Sequence, residues 1–265
     1  MPPTLRSAAA SDVGRRRENN QDSAVTSPRM LAVADGMGGH AHGEVASAVA
    51  VAALRDLDTR LRGTDLAQVD LLAVLREAIE EAAARLTELA QQNPDLRGTG
   101  TTVVALLVDG TRIGVLHLGD SRAYLLRDGE LHRLTRDHTL VQSLVDEGRI
   151  SEEEAASHPR RSWLVKTLQD SSAPEPDLFH LEGRPGDRYL VCSDGATAVL
   201  DDQQLREVLA TVADPDAAVA QIIAAANAGG GPDNITCIVA DLLDDGPPPA
   251  DDTAVVVGAA ATVAL

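Results

Sequence analysis

Between Thr101 and Leu134 the chain sets four apolar runs end to end, separated by two Asp-Gly turns, and this excludes more folds than any other feature. Thr101–Val108 and Arg112–Leu118 meet at Asp109-Gly110, while Ser121–Leu126 and Glu130–Leu134 meet at Asp128-Gly129. Asp-Gly readily supplies the positive φ angles that tight hairpin turns need, so each pair reads as a β-hairpin. Consecutive strands with no helix between them pair antiparallel. A doubly wound dinucleotide fold would need crossover helices there.

Helical periodicity flanks this centre. Val45, Ala48, Val49, Ala52, Ala53, Leu57 and Leu61 recur at three and four between Glu44 and Leu61, and Leu72, Leu75, Ile79, Ala82, Leu86 and Leu89 repeat the pattern up to Asn93-Pro94. Later, strands at Asp187–Ser193 and Ile235–Leu242 are separated by helical patterns at Asp202–Leu209 and Ala217–Asn227, the last stopped by Gly229-Gly230-Gly231-Pro232. The polar stretch His138–Arg161 interrupts the strands, and Ser151-Glu152-Glu153-Glu154 within it is a capping box opening a short helix. The expectation is an α+β chain with one globular domain over 5–243. Asp244–Pro249 reads as an extended linker, and Thr253–Leu265, small and apolar but too short to span a bilayer, as a mobile tail or the stub of a longer chain.

Charge narrows the function. Of 265 residues, 41 are acidic and 23 basic, a net charge of −18, with only one Trp, two Tyr and one Phe. Such a chain lacks both the basic surface and the aromatic platforms for nucleic acid, so no nucleic-acid partner is expected. Its 44% hydrophobic content suits a globular core, and its length allows that core to form without disulfides. Cys192 and Cys237 each lie in an apolar run and read as buried reduced thiols. No apolar leader opens the chain and no run of about 18 apolar residues crosses a membrane, so the simplest expectation is a cytoplasmic monomer.

Several acids stand where surface acids do not usually sit. Asp35 follows Leu31–Ala34, Asp120 follows Leu116–Gly119, Asp194 follows Tyr189–Ser193, and Asp233 precedes the strand Ile235–Leu242. Taken singly, an Asp-Gly dipeptide is more often a turn than a ligand. Asp35-Gly36-Met37-Gly38-Gly39-His40 is different, because its glycines let the backbone approach an ion and offer a carbonyl. Oxygen donors of this kind favour magnesium or manganese over zinc, and His40 with His42 is too little for a zinc site. Clustered carboxylates repel by roughly 1 to 4 kcal/mol per pair at about 4 Å, so they need cations between them or raised pKa values.

Six motifs then occur in order: Arg17-Glu18-Asn19-Asn20-Gln21-Asp22, Asp35-Gly36-Met37-Gly38-Gly39, Gly100-Thr101-Thr102, Gly119-Asp120-Ser121-Arg122, Ser193-Asp194-Gly195 and Gly231-Pro232-Asp233-Asn234-Ile235-Thr236. In order and spacing the chain resembles the metal-dependent protein phosphatases of the 2C type, most closely their bacterial branch, over about residues 5–243. The resemblance implies a four-layer α-β-β-α sandwich of two antiparallel sheets flanked by helices. It also implies hydrolysis of phosphoserine and phosphothreonine by in-line attack of a water bridging two Mn2+ or Mg2+ ions, opposing a bacterial serine/threonine kinase. Phosphorylated proteins would then be its partners.

Carried over by motif, Asp35 would bridge two metals, the Gly36 carbonyl would bind one, Asp194 and Asp233 would complete the other, and Asp120 would serve a third, weaker ion. Gln21, Asp22 and Asn234 would stand behind these ligands. Arg17 would clamp the phosphate, although in Arg15-Arg16-Arg17 it also reads as a solvated arginine.

Departures from the pattern concern the details. Gln21 stands where many relatives carry a glutamate that holds metal-bound water. Met37 replaces a histidine proposed as general acid in the eukaryotic branch, leaving His40 as either its substitute or a helix cap. Ala196 is smaller than the residue usual after Ser-Asp-Gly, and Lys166 and Gln169 replace a common Arg and Gly. The segment from about Thr139 to Arg161, ending in Ser157-His158-Pro159-Arg160-Arg161-Ser162, resembles the family's mobile flap, which makes His158 and Arg161 candidates for substrate contact. A solvated helix pair without function is the plainer reading of the flap. Two alternatives to a general phosphatase are a regulatory phosphatase of one partner, such as an anti-sigma-factor antagonist, and an inactive metal- or ligand-binding sensor of the same fold.

Overall fold

The computed structural model describes residues 3–38, 42–170, 173–244 and 253–263. The chain opens with β1 (Thr4–Asp12), β2 (Asp22–Thr26) and β3 (Met30–Met37), followed by helices α1 (Gly43–Arg60) and α2 (Leu71–Gln92). The short β4 (Gly100–Thr101) leads into two hairpins, β5 (Val103–Asp109) with β6 (Arg112–Leu118) and β7 (Arg122–Arg127) with β8 (Glu130–Arg133). Two short helices, α3 (Leu140–Asp146) and α4 (Glu152–Ala156), precede β9 (Leu168–Gln169), β10 (Asp177–Glu182) and β11 (Arg188–Cys192). The last elements are α5 (Asp194–Thr197), α6 (Asp202–Thr211), α7 (Pro215–Ala228), β12 (Ile235–Leu243) and β13 (Val255–Gly258).

All strand pairing is antiparallel, in the orders β1-β12-β11-β7-β8 and β10-β6-β5-β3-β2-β13, with β4 and β9 continuing from the end of β3. The uninterrupted apolar runs have a direct cause, since alternate residues of a strand serve opposite faces. Val103, Ala105 and Leu107 of β5 face α1 and α2, whereas Val104, Leu106 and Val108 enter the core between the sheets. In β12, Ile238, Ala240 and Leu242 join that same inner core, while Ile235, Cys237 and Val239 pack under α6 and α7. Three apolar layers thus separate four structural layers, the α-β-β-α sandwich expected from the resemblance.

Local signals set the boundaries. Asp70 caps α2 through Leu72 N–H and Ala73 N–H, both 3.1 Å from its Oδ1. The capping box at Ser151 and Glu154 is formed, with Ser151 N–H donating to Glu154 Oε2 at 2.8 Å. At the second hairpin both Asp128 and Gly129 adopt positive φ, as a two-residue turn of this kind requires. Cys192 and Cys237 lie opposite one another on β11 and β12, free and buried; burial pushes the Cys192 thiol up to about 12 and Cys237 well above its usual range.

The tail differs from expectation. Val255–Gly258 is not loose but adds β13 to the open edge of β2, with Val255 opposite Thr26 and Gly258 opposite Ser23. Ala259 is buried, and Val256 and Ala260 pack onto the core beneath α1. A Val-Val-Val run satisfies an otherwise unpaired strand edge, which is why it docks. Of the expected linker Asp244–Pro249, all but Asp244 lies outside the described residues. Among the described residues no helix is long and apolar enough to cross a membrane.

Candidate metal centre

Five aspartates reach one end of the sandwich because the strands that carry them all end there. Asp35 lies near the end of β3, directly opposite Asp22 on β2. Asp120 follows β6, Asp194 follows β11, and Asp233 precedes β12. Arg17, Gln21, Asp35, Asp120, Asp194 and Asp233 line one cavity of about 260 Å³ together with Gly36, Thr102 and Asn234.

Close backbone packing builds the floor. A Cβ on Gly36 would lie 2.1 Å from the Gly43 carbonyl oxygen and 2.6 Å from that of Gln21, so only glycine lets β3 meet the start of α1 at this distance. Gly36 N–H donates to Gln21 O at 3.2 Å. Asp35 is fixed by its own backbone: its N–H donates to Thr102 Oγ1 at 3.0 Å and its carbonyl accepts from Thr102 N–H at 2.9 Å. Thr102 Oγ1 also pairs with Ser121 Oγ at 2.7 Å, which ties the Asp35 strand to the turn carrying Asp120.

Asn234 is the joint of the arginine loop. Its Oδ1 accepts from Gln21 N–H at 2.9 Å, and its Nδ2 donates to the carbonyls of Val13 and Asn19, both at 2.9 Å. That clamp brings Arg17 over Asp233, with Nη2 2.7 Å from Oδ2. Arg17 remains exposed at the rim, and its pairing with Asp233 raises its pKa. The Gln21 side chain does not point freely into the cavity; its Nε2 donates to Glu44 Oε2 of α1 at 3.1 Å.

Electrostatics mark the cluster as unbalanced. Burial is the first cause raising Asp22 to about 7, with Asp194 and Asp233 adding repulsion while Ser193 pulls the other way. Asp35 is raised well above its usual range by loss of water and by Asp22, Asp194, Asp120 and Asp233, in that order. Burial and Asp194 raise Asp120 to about 7, and burial and Asp233 raise Asp194. Asp22 Oδ1 and Asp194 Oδ1 are buried with no hydrogen-bond partner. Buried carboxylate oxygens without donors, facing other carboxylates, fit hard divalent cations. Among the described residues no three of these aspartates bring oxygens within 4.8 Å of one another. They are spread too widely to enclose one ion, an arrangement that suits several ions partly coordinated by water.

The residues singled out from sequence sort unevenly. Arg17, Gln21, Asp35, Gly36, Asp120, Asp194, Asp233 and Asn234 all line the cavity, while Asp22 lies fully buried behind it. His40 falls outside the described residues. Arg161 lines a neighbouring cleft of about 580 Å³ that shares Asp120, Ser162 and Asp194 with the first. His158 lines neither; its Nδ1 accepts from Arg160 N–H at 3.1 Å. Ser193 was visible only as part of its motif, yet its Oγ donates to Asp22 Oδ2 at 2.7 Å and accepts from Thr236 N–H at 3.0 Å. Ser121 likewise appeared only within its motif, and Glu44 only as the first residue of a helical pattern.

A family model for protein phosphatase 2C matches residues 14–226. The chain belongs to the protein phosphatase 2C family. Among family members, it is 48% identical over 238 residues to the serine/threonine protein phosphatase PstP of Mycobacterium tuberculosis, covering 90% of this chain and 45% of PstP. It is 35% identical over 235 residues to the serine/threonine phosphatase stp of Listeria monocytogenes, covering 87% of this chain and 93% of that protein. The crystal structure of the PstP catalytic domain in complex with two manganese ions aligns with a TM-score of 0.84 and 46% identity, over 91% of this chain and all of that one. The chain thus spans under half the length of PstP and nearly the whole length of the Listeria protein.

Proposed function

We propose that this chain is a Mn2+- or Mg2+-dependent phosphoprotein phosphatase that hydrolyses phosphoserine and phosphothreonine, reversing the work of a serine/threonine kinase. The observation that carries this reading is the convergence of Asp35, Asp120, Asp194 and Asp233 on one cavity with Arg17 at its rim. Asp35, the Gly36 carbonyl, Asp194 and Asp233 would hold two core ions, and Asp120 a third. When bound, such ions supply Lewis acidity, making water a nucleophile near neutral pH and neutralising phosphate charge.

The chain's own groups do the rest. Arg17 presents a guanidinium to phosphate oxygens, while Asn234 and Asp233 fix the loop and the side chain that bring it there. Thr102 holds the Asp35 backbone from both sides, so the carboxylate needs little reorganisation. Gln21, paired with Glu44, orients the wall facing the ions. Flanking peptide would run into the adjacent cleft, where Arg161 would meet it beside the acids Glu152 and Asp202. Phosphorylated proteins are the partners this reading requires.

The test is hydrolysis of an aryl phosphate and a phosphothreonine peptide with manganese, with chelator, and with Asp35→Asn. Activity on both substrates is expected only for the unaltered chain with metal. Turnover that persists in chelator or in the Asp35→Asn variant would remove the proposed chemistry.

A further inference from the structure

Asp120 differs from the other acids of the cavity in how its backbone is held. It follows Gly119, whose φ of +101° excludes a side chain; a Cβ there would also meet Thr102 Cβ at 2.6 Å. The β6 ladder has ended at Leu118, so Gly119 must find partners elsewhere. His138 supplies both. Its backbone N–H donates to Gly119 O at 2.8 Å, and its ring Nδ1 accepts from Gly119 N–H at 3.1 Å. Both hydrogen bonds thus close on the residue immediately before Asp120.

An Nδ1 that accepts must leave the proton of a neutral imidazole on Nε2. Burial lowers the pKa of His138, and burial with the neighbouring His138 ring lowers His117 to about 4, so both rings are neutral at pH 7. His138 Nε2 lies 3.1 Å from Asp177 Oδ2 without completing a hydrogen bond, and Asp177 Oδ1 lies 3.2 Å from Lys166 Nζ. The carboxylate still favours the Nε2–H form. His138 O accepts from Val165 N–H at 2.9 Å, so the same residue also anchors the exit of the 139–161 excursion.

His117, His138 and Asp177 bring ring nitrogens and a carboxylate oxygen within 4.8 Å of one another, a makeup that also suits a transition metal. The tautomer argues against that use. To give Nε2 to a metal, His138 would move its proton to Nδ1, which would then face the Gly119 N–H as donor against donor.

We infer that His138, oriented by Asp177, is a positioning residue that fixes the Gly119-Asp120 turn and so sets the Asp120 carboxylate for its cation. The inference rests on the reading that Asp120 serves the weakest of the bound ions.

The test compares Mn2+ binding isotherms of the chain with those of His138→Leu, His138→Asn, Asp177→Asn and Asp120→Asn, and follows the Gly119 amide by NMR without metal. Leucine removes the ring acceptor, whereas asparagine can place Oδ1 near the Nδ1 position. His138→Leu is expected to weaken the weakest Mn2+ step about 10-fold, leave the tighter steps unchanged and move the Gly119 amide upfield. His138→Asn should recover most of that loss, which a merely structural histidine would not predict. Half-exposed Asp177 tolerates substitution, so Asp177→Asn carries the test if His138→Leu does not fold; it should weaken the same step about threefold. A wild-type isotherm in His138→Leu, or in Asp177→Asn where His138→Leu does not fold, overturns the inference. So does a His138→Asn variant as impaired as His138→Leu. If Asp120→Asn leaves the weakest step intact, the assignment of Asp120 has failed; if Asp120→Asn removes that step and His138→Leu does not touch it, only the positioning role has failed.

Discussion

β11 has an aspartate at each end, and the two live in opposite electrostatic worlds. Burial alone would raise Asp187, yet its pKa is held below the usual range because Arg127 grips both oxygens at 2.7 and 2.6 Å, with Arg184 N–H at 2.7 Å and the Tyr189 hydroxyl at 2.9 Å. Asp194, at the other end, is raised by burial and by Asp233, and one of its oxygens has no donor. The two ends of one strand thus give one carboxylate whose oxygens are met by donors and one that stays raised although Arg122 and Arg17 act on it from a distance. A fold that can satisfy Asp187 this fully could do so at Asp194, and the contrast is what the proposed cation site at the second end requires.

Substitution at the two ends should separate activity from stability. Asp194→Asn is expected to lower manganese-dependent turnover about 1000-fold or more, since loss of several kcal/mol of charge stabilisation is at stake, while the thermal midpoint of the metal-free chain rises as repulsion falls. Asp187→Asn should leave the metal dependence of turnover unchanged and cost about 1 to 2 kcal/mol of stability, because it weakens charge-assisted bonds from half-buried Arg127 and from the buried Tyr189 hydroxyl. Denaturant melts and metal titrations on both variants check this, and a stability loss at Asp194 equal to that at Asp187 would erase the distinction.

A smaller effect is expected at the rim. Arg17 is the cation nearest the satisfied pattern of Asp187, yet it is exposed and bound to Asp233 by a single contact of 2.7 Å. Hydrogen bonds to charged groups contribute roughly 1.5 to 3 kcal/mol, so Arg17→Ala should lose about 10- to 150-fold in kcat/KM toward a phosphopeptide. An unchanged kcat/KM would make Arg17 a counter-ion of Asp233 only.

How much of this was readable from sequence depended on whether a signal was local. The hairpins and helices α1, α2, α6 and α7 declared themselves through turns, caps and periodicity, and Asp35, Asp120, Asp194 and Asp233 through their places at strand ends. β1, rich in Ala and Ser, has no strong strand signature; it exists because β12, more than 200 residues later, pairs with it from Thr4↔Leu243 to Asp12↔Ile235. β10 is an edge strand of mixed polarity and gave no alternation to read. The full burial of Asp22 was equally hidden, since it comes from Ser193 across the other sheet. His138 looked like one more polar residue in a polar segment, because its partners Gly119 and Asp177 are set by tertiary packing.

The two ends of β11 should also respond oppositely to pH when no metal is present. A carboxylate held low in the fold, as Asp187 is, contributes stability that is lost as pH falls through its folded pKa. A carboxylate held high does the reverse: between its ordinary value near 4 and the folded value, the folded chain binds more protons than the unfolded one, so stability falls as pH rises. Asp22 and Asp120 at about 7, with Asp35 and Asp194 also raised, place that fall between about pH 4 and 7. The metal-free thermal midpoint should therefore decline from pH 5 to 7.5, and the rise on adding manganese should grow over the same interval. A flat or rising metal-free profile would contradict the raised values.

The smallest effect concerns β13, whose Gly258 touches the backbone of Asp22 rather than any ion. Gly258 has φ +77°, and a Cβ there would meet Asp22 O at 2.2 Å; Ala260 N–H donates to Ser23 Oγ at 3.0 Å just beyond it. Gly258→Val should therefore lift the strand off the β2 edge, exposing Ala259 and the flank of α1. Only a few small side chains lose their cover, so the cost should be about 1 to 2 kcal/mol, or roughly 3 to 6 °C in thermal midpoint for a chain of this size. Asp22 keeps its hydrogen bond from Ser193 whether or not β13 is docked, so activity at saturating manganese should stay within about twofold of the parent. A larger activity loss at unchanged thermal midpoint would place the tail within the catalytic end of the sandwich instead of at its edge.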